Sequence, residues 1–237
     1  MSGGRIVRDS AASTLGVLLQ GGARFVVSVM VGRIAGPAAL ALLNGSLSLA
    51  TVASLLWPTS AGQAASIILA REEAAGRAHR VPAVQRHLTR RAAIVVGAAL
   101  PVVAVVAALS LRAGWVTAAW VAALTVAFSA YNVTRGMQFG RGRVLQAAFW
   151  EGVSALTTLG LLAAVLIADL PGLYLLPLTL GYAVYAVGGW PRGATAGAGL
   201  PEPLRKELDL YVVWGVLGTF ASPGLLHLSM VIAVATE

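Results

Sequence analysis

The chain has 237 residues, 58% of them hydrophobic and 11% charged, with a net charge of +8. Soluble domains carry about 25% charged residues, so this balance, with a mean hydropathy of +0.81, excludes an ordinary soluble protein and points to the membrane class. Cysteine is absent, which excludes disulfides, thiolate metal sites and cysteine nucleophiles. His79, His87 and His227 are too widely separated to suggest a ligand cluster. In so apolar a chain the positive charge reads as topology signals beside membrane spans, not as a nucleic-acid footprint.

A membrane-crossing helix needs about 20 mainly apolar residues. Seven stretches qualify, at roughly 10–34, 39–69, 92–111, 115–134, 144–167, 172–190 and 209–235. The expected fold class is therefore all-α, a polytopic membrane protein of about seven helices. The first span follows the charged stretch "RIVRD". Its apolar run exceeds the 7–15 residues of a signal-peptide core, and no clear small-residue cleavage site follows, so it reads as a retained helix.

That first span contains Arg24, about ten residues from its outer end. Ten residues rise roughly 15 Å, beyond the reach of a snorkelling arginine. A charge so deep costs at least about 2.5 kcal/mol and ordinarily faces a bundle interior or a watery cavity. Ser13, Gly16, Gln20, Arg24, Ser28 and Gly32 recur at three- or four-residue spacing and share one helix face. The stripe suits either a cavity wall or a close helix seam. The arginine favours the cavity, because packing alone does not need a guanidinium.

The second span holds Asn44 and Gln63, and its Pro58 and Gly62 are expected to kink it. The basic segment from Arg71 to Arg91 is long enough for an amphipathic helix lying on an anionic leaflet. The fourth span holds Asn132. The fifth holds Gln146 and Glu151, and Glu151 can pair with Arg24, pair with Arg143, or stand alone as a proton site. Structural pairing is the default expectation. The seventh span holds His227, with Pro223 and Gly224 as a second expected kink. "GRIAGPA", "RAGW" and "ADLPG" read as tight turns between antiparallel helices.

Arginine and lysine alternate by side. The N-terminal tail and the connections after spans two, four and six hold 14 of them; the opposite side holds Arg33 and Arg112. The positive-inside rule then puts the N-terminus in the cytoplasm. No GxxxxGK[ST] loop occurs, so no ATP hydrolysis is expected, and neither a cofactor, a metal nor an enzymatic activity is.

"RDSAASTLGVLLQGGARFVVSVMVGRIAGPAALALLNGSLSLATVASLL" resembles the amino-terminal signature of bacterial polysaccharide flippases, with Arg33, Gly36 and Pro37 matching the turn after the first helix. "TRGMQFGRGRVLQAAFWEG" resembles the family's cytoplasmic link between helices four and five, on Arg135, Gly136, Gln138, Gly140, Arg143 and Glu151. "LRKELDLYVVWGVLGTFASPGLL" is similar to the approach to helix seven, where a second lobe begins. The family belongs to the multidrug/oligosaccharidyl-lipid/polysaccharide exporter superfamily.

The resemblance covers nearly the whole chain. It implies a six-helix lobe at 1–207 and the first helix of a second lobe at 208–237. It also implies alternating-access flipping of a lipid-linked oligosaccharide or polysaccharide precursor across the bacterial plasma membrane. By position it implies that Arg24 meets the carrier's pyrophosphate, in a cavity with Gln20, Ser28, Asn44, Gln63 and Glu151 beside it. Family members have about 12 to 14 helices. The expectation is therefore a fragment of a longer reading frame, with a second lobe in a separate chain or a second copy as the other arrangements.

Other functions read less well. A multidrug or cation antiporter of the same superfamily favours cavity carboxylates, and Glu151 is the one deep acidic candidate. Seven-helix receptors place the N-terminus outside, against the charge count. A retinal pump needs a lysine in its last helix, whereas Lys206 precedes it. A non-transporting scaffold for glycan assembly is the remaining alternative.

Overall fold

A computed structural model describes residues 3–110, 114–192 and 199–236. Arg112, part of the charge count above, lies outside them. The described residues are helical and contain no strand. The helices are α1 Gly3–Ile34, α2 Pro37–Leu55, α3 Pro58–Ala74, α4 Val81–Ser110, α5 Trp115–Gly140, α6 Val144–Ile167, α7 Leu176–Gly188, α8 Glu202–Thr219 and α9 Leu225–Thr236. Among the described residues six helices are long and apolar enough to cross a membrane, and the expected seventh span, broken into α8 and α9, is not one of them; the chain is an all-α, polytopic membrane protein.

Three boundaries differ from the sequence reading. The second span is not one kinked helix: α2 stops at Leu55 and Pro58 starts α3 at its first turn. Proline lacks the N–H an uninterrupted helix would need there. The basic segment after it forms no separate surface helix, because a short 3-10 turn at Ala78–Arg80 leads straight into α4. Arg135, read as a loop residue, lies inside α5, which continues to Gly140.

The seventh span is interrupted too. A π-helical stretch, Phe220–Gly224, contains Pro223 and separates α8 from α9. It lies along the second span, with α8 against α3 and α9 against α2. The two broken helices thus run antiparallel, and the π-helical stretch itself touches α2.

Helix α5 is the hub, in contact with α2, α3, α4 and α7. Its seam with α3 is a backbone-to-backbone approach. A Cβ on Gly136 would lie 2.0 Å from the Gly62 carbonyl oxygen, one on Gly62 2.5 Å from that of Asn132, and one on Gly140 2.3 Å from that of Ala65. Gly62 therefore serves this contact rather than a kink. Small residues of this kind let helices approach where lipid supplies no hydrophobic drive.

The arginine-rich end is laced by ion pairs. Glu72, nearly buried, takes Arg77 through two bonds of 2.7 and 2.8 Å, with Arg71 and Arg80 at 3.6 Å. The Arg77 guanidinium holds the Glu72 carboxyl below its ordinary range against the opposing effect of burial. Arg71 also bridges to Glu207, and His87 and Arg91 reach Asp209 at 2.8 and 3.5 Å. These contacts fasten α8 to α3 and α4.

Candidate functional site

Arg24 projects from α1 into a group of aromatic rings. Its Nε donates to the Tyr182 hydroxyl of α7. Its guanidinium carbon stands 5.0 Å from the Phe128 ring centre and 5.2 Å from that of Tyr182. Tyr131 and Tyr185 complete the group, with Tyr131 5.2 Å from Tyr182 and 4.7 Å from Tyr185 between ring centres. No carboxylate comes within ion-pair distance of Arg24 among the described residues. Ring faces attract the cation without neutralising it.

The neighbouring polar groups come from three helices. Gln20, one turn before Arg24, is buried, and its Oε1 has no partner among the described residues. Ser28, one turn after, donates a long 3.4 Å bond to Asn44 Oδ1 of α2. His227 of α9 lies 3.3 Å from the Ser48 hydroxyl and within electrostatic reach of Arg24. The two ends of the α1 stripe are packing contacts. A Cβ on Gly16 would lie 2.9 Å from Glu151 Oε2, and one on Gly32 3.0 Å from Leu40.

Glu151 occupies a second position. It is 1% exposed, accepts a 2.6 Å bond from Arg135 Nε and lies 3.4 Å from the Tyr131 hydroxyl. Its partner is thus Arg135, not Arg24 or Arg143. The other carboxylate oxygen, Oε2, is buried with no partner among the described residues. Gly16 touches Glu151, and eight residues separate Gly16 from Arg24 along α1, an axial rise of about 12 Å.

Arg135 borders a polar cleft of about 460 Å³ together with Thr59, Gln63, Ser66 and Asn132. Asn132 closes its floor by donating to Ser54 Oγ and to the Phe128 carbonyl, both at 3.1 Å. The expected cavity set therefore divides. Gln20, Arg24, Ser28 and Asn44 converge, Gln63 stands exposed on the Arg135 cleft, and Glu151 is sealed beneath it. Tyr131 and Tyr182 connect the two positions.

Arg135, Tyr131 and Tyr182 were not expected. The run of small and apolar residues continuing through "YNVTRGMQFG" was the available signal that Arg135 is helical. Two tyrosines in the middle of spans were the available signal for the aromatic group, because a buried phenol needs a partner.

No protein-family model, no curated protein and no solved structure matches this chain. The functional reading rests on the geometry of Arg24 and Arg135 and on the sequence resemblance.

Proposed function

We propose that the chain is a transporter lobe that moves an anionic, lipid-linked oligosaccharide or polysaccharide precursor across a bacterial plasma membrane, with its N-terminus cytoplasmic. The observation that supports this most is Arg24: a cation among helices, oriented by Tyr182 and two ring faces, with no carboxylate against it among the described residues. A guanidinium offers a planar fork that matches phosphate oxygens two at a time. Such charge-assisted bonds are about twice as strong as neutral ones. Arg135, on its own polar cleft about two turns nearer the arginine-rich end, is a waystation for the same group. The two broken spans, lying side by side, supply places where a lobe can bend.

A second lobe or a second copy completes the cavity in this reading, since alternating access works between two halves. The antiporter reading loses ground on one observation. Glu151, the carboxylate a cationic drug would need, is buried and already paired with Arg135.

The test is binding of a fluorescent polyisoprenyl pyrophosphate to the purified chain in detergent. Arg24→Ala is expected to weaken binding at least about tenfold, the loss of one charge-assisted contact, and Arg24→Lys to fall between. Wild-type affinity in Arg24→Ala, with unchanged helicity, would overturn the reading.

A further inference from the structure

The first three turns of α4 carry two basic faces, and the fold treats them differently. His87 and Arg91 are answered by Asp209 of α8. Arg86 and Arg90, one turn apart on the adjoining face, are exposed and make no ion pair among the described residues. They open instead on a cavity of about 690 Å³ bounded by Trp190 and Met137. Two further groups reach this cavity unsatisfied: Gln85 is 5% exposed, and neither its amide nitrogen nor the Thr89 hydroxyl has a partner among the described residues. Burying such donors without a partner is costly, so they suit an acceptor from outside the protein.

The cavity continues into a groove between α4 and α5. The two share Thr89, Ala93 and Trp190, and the groove goes on past Val96, Val126, Ala130 and Val133, a nearly wholly apolar surface. From Arg86 to Val96 the helix rises about 15 Å, half of the roughly 30 Å hydrocarbon core and thus one leaflet deep. Positive charge and unsatisfied donors at the mouth, with an apolar channel one leaflet long behind them, describe an amphiphile with an anionic head. The site lies on a different face of α5 from the Arg135 cleft, with no lining residue in common, and does not depend on the transport reading.

We propose that the α4–α5 groove is a binding site for an anionic phospholipid of the leaflet at the arginine-rich end. Arg86, Arg90, Gln85 and Thr89 hold the phosphate, and one acyl chain lies along Ala93, Val96, Val126 and Ala130. Basic pockets between spans are known places for lipid phosphates.

Trp190 sits where head and chain regions meet, so it is the natural reporter. The full chain is placed in phosphatidylcholine nanodiscs, and brominated phosphatidylglycerol or brominated phosphatidylcholine is added at trace levels. Preferential quenching by the brominated phosphatidylglycerol is expected, and Trp190→Phe should remove that component of the signal. R86Q/R90Q should lower the apparent affinity roughly tenfold or more, the effect of two lost basic contacts. R86K/R90K should retain most of it, and both pairs are exposed, so the bundle should keep its helicity. Equal quenching by the two lipids, or an unchanged preference in R86Q/R90Q, would overturn the proposal. So would displacement by soluble glycerol 3-phosphate, which would show a phosphate site that needs no acyl chain.

Discussion

Helix α5 meets its neighbours in two opposite ways. Toward α3 it presents Gly136 and Gly140, so close to the Gly62 and Ala65 carbonyls that no side chain fits between. Toward α1, α6 and α7 it presents Phe128, Tyr131 and Arg135, and the gap is filled by long polar or aromatic side chains from both sides. The first face is a fixed seam, because backbone cannot give way. The second can be rearranged by rotating side chains. The first holds the bundle together, and the second is where, under the proposed function, it admits a ligand.

The seam should break hardest. Gly136→Ala puts a methyl group 2.0 Å from a backbone oxygen, a clash only separation of α3 and α5 can relieve. A loss of more than about 4 kcal/mol is expected, seen as failure to recover monodisperse helical protein from detergent extracts. Normal recovery would mean that the seam is looser than drawn. On the other face Glu151→Ala should cost about 3 kcal/mol, the low end for breaking a buried pair, because the part-buried Arg135 loses its carboxylate partner. Thermal unfolding in detergent measures it, and Glu151→Ala with Arg135→Met should recover most of the loss if the two are a structural pair.

Glu72 sharpens the contrast, since it has the same arginine pairing at the end of α3 instead of inside the bundle. Its folded-state pKa is depressed, by Arg77 first. The stabilisation is therefore complete above the ordinary carboxylate value near 4.3 and disappears as pH falls through the lower folded value. Glu72→Gln should cost about 1.5–3 kcal/mol at neutral pH, and should flatten the stability loss on acidification below about pH 4.5. An unaltered acid slope would remove Glu72 from the account.

The sequence made the spans legible because hydropathy over about 20 residues is a strong signal. It also made Pro58 and Pro223 legible as disturbances, although not that their two helices would lie against each other. That arrangement depends on α8 and α9 finding α3 and α2 from more than 130 residues away. The stripe of Gln20, Arg24 and Ser28 was readable from helical period alone. The partner of Glu151 was not, because Arg135 stands just past the apolar run of its span, where a charge reads as a topology signal. Charge within a turn of a span end has two readings, and contact with another helix decides between them.

The smallest effect on stability, and the most informative, is expected at Arg24. Its removal deletes a bond to Tyr182 and two ring contacts, worth about 0.5–2 kcal/mol for a cation on aromatic faces. It also removes a charge that costs at least about 2.5 kcal/mol to hold at that depth. These terms oppose each other, so Arg24→Ala should change the unfolding free energy by no more than about 1 kcal/mol, and Tyr182→Phe by less, consistent with one neutral hydrogen bond. Glu151→Ala behaves differently because there a charge is left behind rather than taken away. If Arg24→Ala destabilises the chain as much as Glu151→Ala does, Arg24 is a structural strut between α1 and α7. If the chain tolerates its loss but no longer binds pyrophosphate lipid, the guanidinium is held there for a ligand.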